Sequence, residues 1–182
     1  MRGKPNPRAR PRARVRTALT PTTEVTHRHV GERALGCLAG RLNVMVDIFV
    51  HYDGNMHCTT RHGPSSATFA TDAPVDNHGR GESFSPTDLV ATGLGTCMLT
   101  VMGILAHKRG WDIAGIDVRV QKEMTKTMPR KIERLRVDFT VPAKIAATLD
   151  ADAKRLLENA ANTCPVRLSI HDSIDVPMNF GW

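Results

Sequence analysis

The stretch 85-SPTDLVATGLGTCMLTVMGILAHKRGW-111 decides the fold. Ser85 stands at a helix N-cap, Pro86 at the first helical position and Asp88 at the third. That is a capping box with Asp in place of Glu or Gln. From Leu89 to Ala106, 18 residues pass without a charge. The helix is expected to run to about Lys108, with Gly110 ending it. Its apolar run is at the lower limit for a membrane span. Gly93, Gly95 and Gly103, with Thr92, Thr96 and Thr100, dilute it, and strand and turn patterns flank it on both sides. It reads as the buried core helix of a soluble domain, with no membrane partner. Cys97 sits in the middle of it.

Upstream, VDIFVHY, the turn residues Asp53-Gly54-Asn55 and MHCTTRH read as a hairpin. Gly63-Pro64 turns the chain, SSATFATD reads as a third strand, and the polar loop APVDNHGRGESF leads to Ser85. Downstream, IAGIDVRVQKEMT and KIERLRVDFTVP are strands with one wet face. Ile116, Val118 and Val120 alternate with polar residues, as do Leu135, Val137 and Phe139. Residues 142–150 and 150–163 read as an amphipathic helical region with Leu156, Leu157 and Ala160 on one side. A fresh helix starts at 163-TCPV-166 with Pro165 at its first position, and IDVPMNF closes as a strand. The order βββ-α-ββ-α-α-β predicts an α+β domain with a mostly antiparallel sheet.

The chain has 182 residues and a formal net charge of +7. The charge is not spread evenly. Residues 1–44 hold ten of the 25 basic residues and two of the 18 acidic ones. The remainder carries 15 basic and 16 acidic residues and is close to neutral. The opening MRGKPNPRARPRARVR repels itself and has no aromatic residue, so residues 1–44 are expected to be a disordered basic extension. Folded patterning begins at Met45, which is read as the start of a domain spanning 45–182. Nucleic-acid binding would rest on this extension alone, and no specific nucleic-acid partner is expected. No apolar run follows the basic residues as in a secretory leader.

Four cysteines, Cys37, Cys58, Cys97 and Cys164, form no CxxC pair and no zinc-finger spacing. They are too sparse for a secreted disulfide framework and suit a reducing cytoplasm. His51, His57, Cys58 and His62 cluster in the first hairpin without a further ligand at a useful spacing, so no metal is expected. There is no P-loop, no GxGxxG after a strand and no GxSxG, in keeping with a protein that needs no cofactor. An apolar site raises a thiol, and Cys97 lies too far into its helix for the dipole to help. Cys164 precedes a helix N-terminus, so local physics favours it as the more acidic thiol.

The residues 84-FSPTDLVATGLGTCM-98 and 163-TCPV-166 resemble the OsmC/Ohr family, the osmotically inducible and organic hydroperoxide resistance proteins. The stretches 63-GPSSATFATDAP-74 and 78-HGRGESFSP-86 resemble its YhfA-like branch. The resemblance covers about residues 45–182. It implies an OsmC-like α+β fold, with an antiparallel sheet wrapped around a long central hydrophobic helix in an intertwined homodimer. It also implies a thiol-dependent peroxidase for organic hydroperoxides, in which Cys97 attacks the peroxide and Cys164 resolves the product to a disulfide. A dithiol reductant, lipoyl-type in some members, then reopens that disulfide. Family peroxidases pair the reactive Cys with an Arg and a Glu. Arg80, before the helix, and Arg61, on the second strand, are the candidate arginines. Thr87 holds the usual glutamate position, which leaves Asp88 and Glu82 as candidate carboxylates. Leu94, Met98 and Val101 around Cys97 would favour alkyl hydroperoxides. The alternative is a non-catalytic, redox-sensing or apolar-ligand-binding dimer of the same fold.

Overall fold

A computed structural model describes residues 45–182; the expected extension 1–44, with Cys37, lies outside the described residues. Three strands open the fold as an antiparallel meander: β1 (Ile48–Gly54), β2 (His57–His62) and β3 (Thr68–Asp72). The first turn uses positive φ at Gly54 (+90°) and at Asn55 (51°), a conformation those two residues tolerate. After a single 3-10 turn at Val75–Asn77 comes α1 (Pro86–Arg109), then β4 (Asp117–Met124) and β5 (Ile132–Thr140). Three helices follow, α2 (Ala143–Thr148), α3 (Ala151–Asn162) and α4 (Pro165–Ser169), before β6 (Met178–Gly181).

The ends of α1 form as the sequence predicts. Ser85 Oγ accepts the Asp88 N–H at 3.2 Å, and Asp88 Oδ2 accepts the Ser85 N–H at 2.8 Å. At the other end Gly110 takes φ +72° and closes the helix.

The class is α+β, but the strands divide into two three-stranded sheets, β1-β2-β3 and β4-β5-β6. β5 pairs antiparallel with β4 and parallel with β6. The crossover through α2–α4 returns the chain in the direction of β5, and that reversal is invisible to a strand-by-strand reading.

The core lies between α1, the second sheet and α3. Leu94, Met98 and Met102 of α1 are fully buried, as are Leu135 and Val137 of β5 and Leu157 of α3. Each such side chain contributes roughly 1.5–3 kcal/mol through burial. The buried stripe of α3 is Ala153, Leu157 and Ala161; Leu156 and Ala160, expected on it, are half-buried at its edge. Where α1 crosses β4, a Cβ on Gly95 would lie 2.9 Å from Val120 and 3.3 Å from Val118. Glycine there lets the helix rest on the sheet.

The first sheet stays largely open, apart from the buried Thr60, Thr71 and Asp72. Its register places Ile48, Val50, Tyr52 and Phe69 on one face, and each is about half exposed or more. On α1, Val90 and Ile104 are also exposed. Between them Thr92, Thr96 and Thr100 turn their hydroxyls back onto carbonyls of the preceding turn, at 2.8–2.9 Å. Their methyl groups are left facing outward.

Candidate active site

Cys97 is half-buried on α1, and Cys164 is fully buried at the N-cap of α4. The α3–α4 corner delivers Cys164 to α1, where the two thiols lie within interaction range of one another. Both are reduced. Cys164 Sγ accepts the Arg167 N–H at 3.4 Å. Burial nonetheless pushes the Cys164 thiol above its ordinary value, the Arg167 contact opposes that without cancelling it, and the Cys97 thiol pushes it further up. The expectation of an acidic Cys164 is therefore corrected. The backbone N–H groups of Arg167 and Val166 at the start of this five-residue helix favour the thiolate, and loss of solvent outweighs them.

The candidate arginines are engaged within the chain. Arg80 Nη1 lies 3.7 Å from Glu82 Oε2 in the loop ahead of α1, with both side chains exposed. Arg61 on β2 stacks over Phe49, its guanidinium 4.3 Å from the ring centre. Among the described residues neither arginine hydrogen-bonds to Cys97. Asp88 is committed elsewhere. Besides capping α1 it receives Lys122 Nζ on Oδ1 at 2.5 Å. The same ammonium reaches Thr87 Oγ1 at 2.9 Å and Ser85 Oγ at 3.3 Å. Burial opposes ionisation of Asp88, but the hydrogen bonds from Lys122 and Ser85 outweigh it and hold the carboxyl below its ordinary value.

Lys122 is the residue that the sequence reading passed over. On β4, Val118, Val120, Lys122 and Met124 share the inward face. A lysine in phase with two inward valines is an expensive placement unless paired, and that phase was its signal. The side chain of Lys122 is only 17% exposed.

A groove of about 820 Å³ runs between α1 and β4. Phe84, Ala91, Gly95, Val118 and Val120 give it apolar walls, and Asp88 and Lys122 line it as well. Cys97 is not part of it. Nine residues beyond Asp88, it lies two and a half helical turns on, across the helix. Leu94 and Met98, expected beside the substrate, are sealed in the core. Only Val101 is half-open.

Against known proteins, the family described as OsmC-like protein matches residues 79–179. A search of curated proteins finds no match. Among solved structures, a Psychrobacter arcticus protein assigned to osmotic stress induction and detoxification response is 38% identical. That alignment covers 77% of this chain and 98% of the other, with a TM-score of 0.69. The organic hydroperoxide resistance protein OsmC of Legionella pneumophila is 15% identical over 77% of this chain and 98% of its own, with a TM-score of 0.58. The organic hydroperoxide resistance protein OhrB of Bacillus subtilis is 18% identical over 75% and 98%, at 0.51. The last two share the fold. With the family's own pattern across more than half its length, and a relative at 38% identity along nearly that relative's whole chain, this chain belongs to the OsmC family.

Proposed function

We propose that this protein is a thiol-dependent peroxidase that reduces organic hydroperoxides through Cys97 and Cys164. One observation carries the reading. Two free thiols from distant parts of the sequence lie side by side, one half-open and one buried. The thiolate of Cys97 attacks the outer oxygen of ROOH. The O–O bond breaks, ROH leaves with a proton, and Cys97 becomes a sulfenic acid. The Cys164 thiol displaces water from it, forming the Cys97–Cys164 disulfide. A dithiol of lipoyl type returns both thiols and is itself oxidised to a cyclic disulfide. Burial suits Cys164 to the second role, because a thiol held protonated is a poor first nucleophile but still reacts with an adjacent sulfenic acid.

The protein acts in the cytoplasm as a homodimer. The open faces of the first sheet and of α1 form the kind of extensive apolar surface that a second copy covers. Either Arg80 or Arg61 then serves Cys97 as the activating cation, with Glu82 as the carboxylate of Arg80. Asp88 holds Lys122 and caps α1.

A second reading draws on the apolar groove beside β4: a dimer that binds an apolar ligand and turns over little. One experiment separates the two. Reduced protein is treated with stoichiometric cumene hydroperoxide, and its disulfides are mapped by mass spectrometry. Rapid formation of Cys97–Cys164 supports the peroxidase. Two unreacted thiols would hand the assignment to the ligand-binding reading.

A further inference from the structure

The stretches 63-GPSSATFATDAP-74 and 78-HGRGESFSP-86 carry no thiol, and the second bears Arg80 and Glu82. In the structure they bind each other. Asp72 N–H donates to Phe84 O at 3.1 Å, and Ser83 Oγ donates to Ala70 O at 2.7 Å. Glu82 N–H donates to Asp72 Oδ2 at 3.2 Å. Gly81 N–H reaches Ala73 O at 3.3 Å and Gly79 N–H reaches Pro74 O at 3.1 Å. The loop doubles back so tightly that a Cβ on Gly79 would overlap the Ala73 carbonyl. The segment bearing Arg80 and Glu82 therefore hangs from the end of β3, and the Asp72 carboxylate takes one of its backbone N–H groups.

Asp72 is 1% exposed, and its Oδ1 is buried without a partner. So is Nδ1 of His57. The β2–β3 register pairs these two residues directly. Their side chains rise from the same face of the sheet, about 5 Å apart at Cβ. Buried polar atoms without partners are rare. An orphan acceptor and an orphan ring nitrogen on register-paired residues are chemically complementary, since a proton on Nδ1 would serve both. The carboxylate holds the loop in front through Oδ2, and His57 stands directly across the strand register from it.

We infer that Asp72, backed by His57, is a positioning residue that fixes the Arg80–Glu82 segment for the reaction at Cys97. The fixing is a property of the fold; its bearing on catalysis rests on the peroxidase reading. Asp72 touches neither thiol. It acts by keeping the loop in one place, so that the Arg80 guanidinium is presented without a conformational search.

The test uses the full chain in four forms, wild type, Asp72→Ala, Asp72→Asn and Arg80→Ala, together with the Asp72→Ala/Arg80→Ala double variant. Hydrogen exchange in peptides covering 79–84 reads the clamp. Cumene hydroperoxide reduction reads its consequence. Asp72→Ala is expected to speed exchange in that segment and to slow reduction about tenfold. Asp72→Asn, whose amide oxygen still accepts the Glu82 N–H, keeps most of the rate. The double variant is no slower than Arg80→Ala alone, because both act by one route.

Wild-type exchange and rate in Asp72→Ala overturn the inference. So does an Asn variant as slow as the Ala variant, or penalties that multiply in the double variant. Should Asp72→Ala not fold, His57→Phe carries the test, since it removes only the backing; unchanged exchange and rate there also overturn the inference. If the wild type consumes no peroxide, or Arg80→Ala is as fast as wild type, the catalytic reading of Arg80 falls. The exchange data alone then decide whether Asp72 is a clamp.

Discussion

Cys164, at the N-cap of α4, lies beside Cys97 in the middle of α1, and burial holds its thiol above the ordinary range. The asymmetry predicts an order of labelling. In reduced protein at neutral pH, iodoacetamide modifies Cys97 first. Cys164 reacts at a pH higher than an ordinary thiol requires, near ~8.5. The same shift has a sign for stability. A thiol whose folded value is raised stabilises the fold fully below the unfolded value and loses that contribution as pH rises through the folded one. Alkylation against pH, followed residue by residue by mass spectrometry, checks the order. Earlier labelling of Cys164 would make it the attacking thiol.

The two-step cycle separates the cysteines by their single variants. Cys97→Ser abolishes hydroperoxide reduction, and retained turnover would sink its assignment. Cys164→Ser loses turnover with a dithiol but still consumes one equivalent of peroxide. It leaves a sulfenic acid on Cys97 that dimedone traps. A dimedone adduct on Cys164 in the Cys97→Ser variant would exchange the two roles.

The Lys122–Asp88 pair predicts a pH-dependent stability. The folded value of Asp88 is depressed, so its contribution is complete above the unfolded value near ~3.9 and fades as pH falls through the folded one. Lys122→Met removes the cation from a carboxylate whose side chain is 40% exposed. The expected loss at neutral pH is about 1 kcal/mol, limited by that exposure. The gap between variant and wild type should close in acid, where Asp88 is protonated in both. Urea midpoints at neutral and acid pH measure it; a gap that persists in acid would assign the loss to packing. Ser85→Ala removes the cap acceptor instead and should cost about 1 kcal/mol, the usual value of a helix cap.

Local chemistry made much of this legible in the sequence. The capping box at Ser85 and Asp88, Pro86 at the first helical position and Gly110 at the end are short-range signals, and α1 forms between them. The paired cysteines were found through resemblance, because no spacing rule brings Cys97 to Cys164. What stayed hidden depends on long-range placement. The parallel pairing of β6 with β5 follows from a crossover. Burial of Cys164 follows from how the α3–α4 corner packs on α1. Asp72 looked like the polar end of a strand, and only the returning loop buries it. Lys122 was legible in principle, since it breaks the inward alternation of Val118 and Val120.

The two candidate arginines differ in what holds them. Arg80 is paired with exposed Glu82 at 3.7 Å, and Arg61 is laid over Phe49. An opposite charge near a thiol raises its thiolate fraction about tenfold or more. Arg80→Ala should therefore slow alkylation of Cys97 at neutral pH about tenfold, while Arg61→Ala leaves it within twofold, about a third of a unit. The reverse result would move the role to Arg61.

The open apolar faces bear on assembly. Val50, Thr60 and Phe69 stand in one cross-strand row, flanked by Ile48 and Tyr52, and Val50 is 64% exposed. On α1, Ile104 is 51% exposed next to the outward methyl groups of the threonine row. A surface of this kind is costly in water, at roughly 25 cal/mol per Å² of apolar area. The proposed homodimer removes it on both copies at once. Burying a charge at its centre should oppose assembly strongly. Ile104→Glu and Val50→Glu are predicted to shift the protein from dimer to monomer in analytical ultracentrifugation while keeping the far-ultraviolet circular dichroism of the fold. If the active site draws its arginine from the second copy, these variants also lose hydroperoxide reduction and keep both thiols free. A variant that stays dimeric with a glutamate at Ile104 would place the interface elsewhere. A monomeric variant with full turnover would confine the catalytic arginine to the same chain as Cys97.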